Sequence, residues 1–165
     1  ICWNNTFNYK NFDFSFFVVG FHGFDIYNAT HQMGYNLIKS QQVAGVTPMR
    51  ELLNRWTPTN TNTNIPGFVN GGTENKDFFS TRFVENGSFI KMKSITLGYT
   101  LPETACRALG ITNLRVYASV QNPFHITNYS GLDPEATMGS PLVQGVDWGS
   151  YPNSRNYLIG LNFSF

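Results

Sequence analysis

Three histidines, His22, His31 and His125, are the first residues in this sequence that could move a proton or hold a metal. None stands in an HxxxH or HExxH spacing, so each is isolated along the chain. No serine, histidine and aspartate can be grouped as a nucleophilic triad. Gly20, Gly23 and Gly34 do not form a phosphate-binding loop. The run GLDPE, Gly131–Glu135, brings two carboxylates close together, which invites a metal; Asp-Pro is equally a turn former. Cys2 and Cys106 lack CxxC or metal-type spacing, and each reads as a free thiol. Asn86-Gly87-Ser88 and Asn128-Tyr129-Ser130 fit a glycosylation pattern that chance supplies in an Asn-rich chain. The sequence therefore predicts no catalytic residue, no cofactor and no enzyme.

Four loop aromatics remain, Trp56, Tyr129, Trp148 and Tyr151. They could stack on sugar rings or contact a partner, or form the interfacial girdle of a membrane barrel. Composition keeps both options open. Aromatic residues make up 16% of the chain and charged residues only 13%, against roughly 25% charge in an ordinary soluble domain. The chain is either a ring-rich binding domain or a wall that faces lipid. No run of about 18 apolar residues exists, which excludes a transmembrane helix. Any crossing must use strands closed into a barrel. The mean hydropathy of −0.22 is compatible, because barrel strands alternate apolar and polar. A net charge of +1 with scattered Lys and Arg argues against nucleic acid. The start at Ile1, with no Met and no signal segment, reads as the middle of a longer chain.

The elements that must carry these residues are strands. Four segments alternate with period two. The first runs from about Asn11 to Val19, with Phe12, Phe14, Phe16 and Val18 on one face. The second runs from about Ser94 to Leu101, with Ile95, Leu97, Tyr99 and Leu101 on one face. Ile90 and Met92 fall on the wrong parity, which predicts a bulge near Lys93 or a strand that has left the membrane there. The third spans about Asn113 to Gln121, with Leu114, Val116, Ala118 and Val120 opposite Arg115, Tyr117, Ser119 and Gln121. The last runs from Arg155 to Phe165, with Tyr157, Ile159, Leu161, Phe163 and Phe165 aligned. Alternation alone fits a soluble sandwich as well as a barrel.

The connections discriminate further. They run long (Gly20 to Glu85), short (Pro102 to Thr112) and long again (Pro123 to Pro152). Compact soluble domains rarely carry such loops, whereas outer-membrane barrels pair short periplasmic turns with long extracellular loops. With the C-terminus in the periplasm, both long connections fall outside the cell. Within the first, Thr47 as N-cap and Pro48 at N1 predict a short helix through Trp56, stopped at Thr57-Pro58.

Several stretches resemble the SusC/RagA family of TonB-linked outer-membrane proteins, in the right order over nearly the whole chain. They are YKNFDFSFFVVGFHGFDIYN (Tyr9–Asn28), RWTPTNTNTNIP (Arg55–Pro66), ENGSFIKMKSITLGYTLP (Glu85–Pro102), LRVYASVQNPFHITNYSGLDPE (Leu114–Glu135) and VDWGSYPNSRNYLIGLNFSF (Val146–Phe165). Lys91, Val120 and Pro123 depart from the usual Arg, Gly and Leu. The resemblance implies an all-β fold: the last four antiparallel strands of a large transmembrane barrel of about 22 strands, with long extracellular loops. Residues 1–165 would be the C-terminal part of that barrel, without its plug domain and most strands. It implies a structural role for GLDPE, and an integral place in the bacterial outer membrane. It also implies active import of oligomeric nutrients, glycans or peptides, with TonB and a SusD-like surface lipoprotein as partners. Tyr157, Leu161, Phe163 and the terminal Phe165 would form the signal recognised during barrel insertion. The reading from another class is a soluble secreted carbohydrate-binding β-sandwich.

Overall fold

The computed structural model describes residues 1–35, 49–67, 80–108, 110–135 and 144–164, and contains eight strands there. They are β1 (Cys2–Tyr9), β2 (Phe12–Phe21), β3 (Asp25–Asn28), β4 (Val84–Asn86), β5 (Phe89–Thr100), β6 (Asn113–Thr127), β7 (Val146–Asp147) and β8 (Asn156–Ser164). The chain divides into two units, one of Ile1–Phe24, Gly87–Tyr129 and Pro152–Phe165, the other of Asp25–Asn86 and Ser130–Tyr151.

The first unit is one antiparallel sheet in the order β1-β2-β5-β6-β8. All four expected strands are present. A fifth, β1, precedes them, so the expected count of four is corrected to five. Its alternation was obscured by Asn5, which sits on the otherwise apolar face. The register lines up whole rows of side chains. Phe7, Phe14, Leu97, Ala118 and Ile159 form one row, and Tyr9, Phe12, Tyr99, Val116 and Leu161 the next. Alternate rows on the other face read Thr6, Ser15, Thr96, Ser119 and Leu158, then Asn8, Asp13, Gly98, Tyr117 and Gly160. Period two thus places a continuous apolar surface on one side and a hydroxyl- and amide-rich surface on the other.

The expected bulge lies at Lys93. Phe17 pairs with Ser94 and Val18 with Met92, so Lys93 is the extra residue. Asn122 and Pro123 lie opposite it on β6, between the Gln121–Ser94 and Phe124–Met92 pairs, and Asn122 takes a φ of 49°. This restores Met92 and Ile90 to the face of Ile95 and Leu97, which accounts for their parity. The turn between β5 and β6 holds a short helix, Glu103–Ala108, that carries the buried Cys106.

The second unit contains a three-stranded sheet in the order β4-β3-β7, with β3 antiparallel to β4 and parallel to β7. A seven-residue helix, Ala29–Tyr35, follows β3 directly. Asn28 caps it: its side-chain oxygen accepts from the His31 amide at 2.8 Å. Ile26, Ala29, Leu52, Ile65 and Phe83 are buried in this unit. The helix expected from Thr47 is instead a 3-10 turn, Arg50–Asn54, flanked by extended Met49 and Arg55. Thr47 and Pro48 lie outside the described residues. A single turn stops here because Arg55 has already left helical geometry before Pro58.

Candidate functional site

The chemistry of this chain is that of a two-faced wall. On the apolar face, Leu97, Ile159 and Leu161 are 50%, 81% and 60% exposed. A β-sandwich would bury those rows under a second sheet, so the sandwich reading fails on this exposure. The rows instead need an apolar solvent, which a bilayer supplies.

The polar face is tied together across four strands. Arg115 on β6 reaches over β5 to Asp13 on β2, with Nε donating to Oδ1 at 2.9 Å and Nη2 to Oδ2 at 2.5 Å. This bidentate geometry is the strong form of the interaction. It requires Gly98 beneath it, because a Cβ there would lie 2.3 Å from the Asp13 carboxylate and 2.6 Å from Arg115. Tyr117 lies flat on the other side, its ring within 2.3 Å of where a Cβ on Gly160 would stand, with the Arg115 guanidinium 5.0 Å from the ring centroid. Thr96 and Ser119 bond hydroxyl to hydroxyl at 2.9 Å one row away.

In the second unit the focus is Glu85 on β4. Its carboxylate accepts from the Asn28 amide at 2.9 Å, from the Ser130 backbone N–H at 2.8 Å and from the Ser130 hydroxyl at 2.8 Å, with the His31 ring nitrogen 3.4 Å away. Burial works against its charge, but these donors outweigh burial and hold the carboxyl below its ordinary range. Asp147 accepts from the Gly149 and Ser150 amides, and its backbone oxygen accepts from Thr30. Asp133 closes its own turn through the Glu135 amide at 3.1 Å. Among the described residues no group of three metal-ligating side chains gathers around GLDPE or elsewhere.

The sequence-derived candidates scatter. Trp148 and Tyr151 are exposed, at 59% and 91%, and Trp56 is half-exposed, but no ring contact among the described residues joins the three. Trp56 closes its loop by donating its amide to Ile65. Tyr129 is only 5% exposed, unlike the other three. Tyr157, Leu161 and Phe163 line the apolar face of β8, while Phe165 lies outside the described residues. His22 and His125 stay apart at exposed positions. His31, isolated in sequence, is not isolated in space: it stands between Glu85 and Glu51. Nothing in the spacing of positions 31, 51 and 85 announces this, because three separate loop elements bring them together.

No protein-family model matches the chain. TonB-dependent receptor P3 of Formosa agariphila is 35% identical over 168 residues, covering 98% of this chain and 16% of that protein. TonB-dependent receptor SusC of Bacteroides thetaiotaomicron is 32% identical over 158 residues, covering 95% of this chain and 14% of that protein. The solved RagAB peptide importer in its open-open state matches with a TM-score of 0.79 at 27% identity, covering 99% of this chain and 17% of that one. The chain thus spans roughly a sixth of the length of the proteins it matches. The outward apolar rows and these relationships make it part of an integral outer-membrane β-barrel, and it belongs to the SusC/RagA family of TonB-dependent receptors.

Proposed function

We propose that this chain is the C-terminal stretch of barrel wall in an outer-membrane importer of oligomeric nutrients. The parent protein takes up glycans or peptides, draws energy from TonB through a plug-bearing N-terminal part, and works with a SusD-like surface lipoprotein. The observation that carries the reading is the pair of opposed faces. Apolar rows run from β1 to β8, interrupted at Asn5, and the reverse face is hydroxyl-rich and carries the Asp13–Arg115 charge pair. Such a wall suits lipid outside and a wet lumen inside. Residues 20–85 and 123–152 are extracellular and 102–112 periplasmic. The exposed Trp56, Trp148 and Tyr151 offer lid or cargo contacts there. β1 and β8, the sheet edges, pair with neighbouring strands of the closed barrel, since unpaired edges in lipid are costly.

Deleting the parent gene should abolish growth on the oligomer while sparing growth on its monomer, and affinity purification of the parent should bring down one surface lipoprotein. Unchanged growth on every oligomer tested, or purification without a lipoprotein, would contradict the reading.

A further inference from the structure

We infer that His31 is a pH-sensitive clasp in the second unit, binding the turn Arg50–Asn54 to the helix and to β4 when its ring is doubly protonated. The argument is one of proton count. Nδ1 lies 3.4 Å from Glu85 Oε1, and Nε2 lies 3.6 Å from Glu51 Oε2. A neutral imidazole carries one N–H, so it can serve one carboxylate and must present a lone pair to the other. Only the imidazolium can donate to Glu85 and at the same time present a positive N–H to Glu51, which lies at ion-pair distance. The two carboxylates come from different elements, the turn Arg50–Asn54 and β4, while His31 belongs to the helix Ala29–Tyr35. Protonation therefore fastens three elements through one ring.

The other polar groups around the ring have partners of their own. Glu85 is held charged by Ser130 and Asn28. Glu51 also accepts from the Tyr35 hydroxyl, on the helix of His31. That phenol is pushed up to about 12, by burial first and then by Glu51, so it stays protonated. Arg82 stands over the Tyr35 ring, 6.0 Å from its centroid. The Asp147 carboxylate is turned to the amides of Gly149 and Ser150. Imidazole is the kind of side chain that changes charge near neutral pH. The edges of the His31 ring pack on Tyr35 at 5.0 Å and Phe83 at 6.0 Å, which fixes the direction of both nitrogens. His31 and Glu51 both line a cavity of about 310 Å³, so release of the clasp frees one wall of it.

The test is hydrogen–deuterium exchange on the full-length parent protein in detergent at about pH 5.5 and about pH 8.5, corrected for the intrinsic rate. The reporters are the Leu52 and Arg55 amides, which bond to Met49 and Leu52 carbonyls in this turn. Their protection should fall roughly two- to fivefold at the higher pH, the size of a partly exposed ion pair. His31→Asn should remove that dependence, and so should Glu51→Gln, which alters an exposed side chain and leaves the core intact. Equal protection at both pH values in the natural protein overturns the clasp. So does a full pH response that survives in Glu51→Gln.

Discussion

At Gly98 the absence of a side chain determines what the polar face can hold. A Cβ there would meet the Asp13–Arg115 pair at 2.3–2.6 Å. Gly98→Val should force the bidentate pair apart and cost about 1–3 kcal/mol, the worth of hydrogen bonds to charged groups. A lowered temperature for heat-modified gel mobility of the parent barrel would register it, and unchanged mobility would contradict it. Glu85 makes a pH prediction of the opposite kind to that of His31. Its folded value lies below the ordinary 4.5, so the stability it contributes is fully present above that range and is lost as the pH falls through the lowered value. Limited proteolysis of the second unit should accelerate below about pH 4.5, and Glu85→Gln should flatten that response. Neither cluster was legible in the sequence. Asp13 and Arg115 share a face by parity, but their meeting needs the register of three strands. Glu85, Asn28 and His31 sit on elements too short to show a period, and Ser130 on a loop.

Strands are where the sequence spoke most clearly, because one wet and one dry face impose period two on each. β2, β5, β6 and β8 were read directly, and the Lys93 bulge was readable as a parity break. β1 escaped because Asn5 interrupts its apolar face, and only pairing with Phe16 on β2 reveals the row. The helix Glu103–Ala108 escaped because six residues are too few to show a helical period. Leu97→Arg should lower assembled barrel by placing a charge in lipid, a cost of about 2–4 kcal/mol near the midplane. Thr96→Arg, one residue along and on the wet face, should be tolerated. Equal loss in both would refute the assignment of faces.

For the whole molecule, the alternation of long and short connections is the feature on which the proposed sidedness rests. Outer-membrane barrels pair long extracellular loops with short periplasmic turns, and the proposal assigns residues 20–85 and 123–152 to the first kind and 102–112 to the second. The most direct measurement places single cysteines at Asn62 and at Glu103 in the full-length parent with Cys2 and Cys106 replaced by serine. Intact cells are then exposed to a membrane-impermeant maleimide. Position 62 should label on intact cells, and position 103 only after the outer membrane is opened. Labelling at position 103 but not at 62 on intact cells would contradict the barrel orientation and the account built on it.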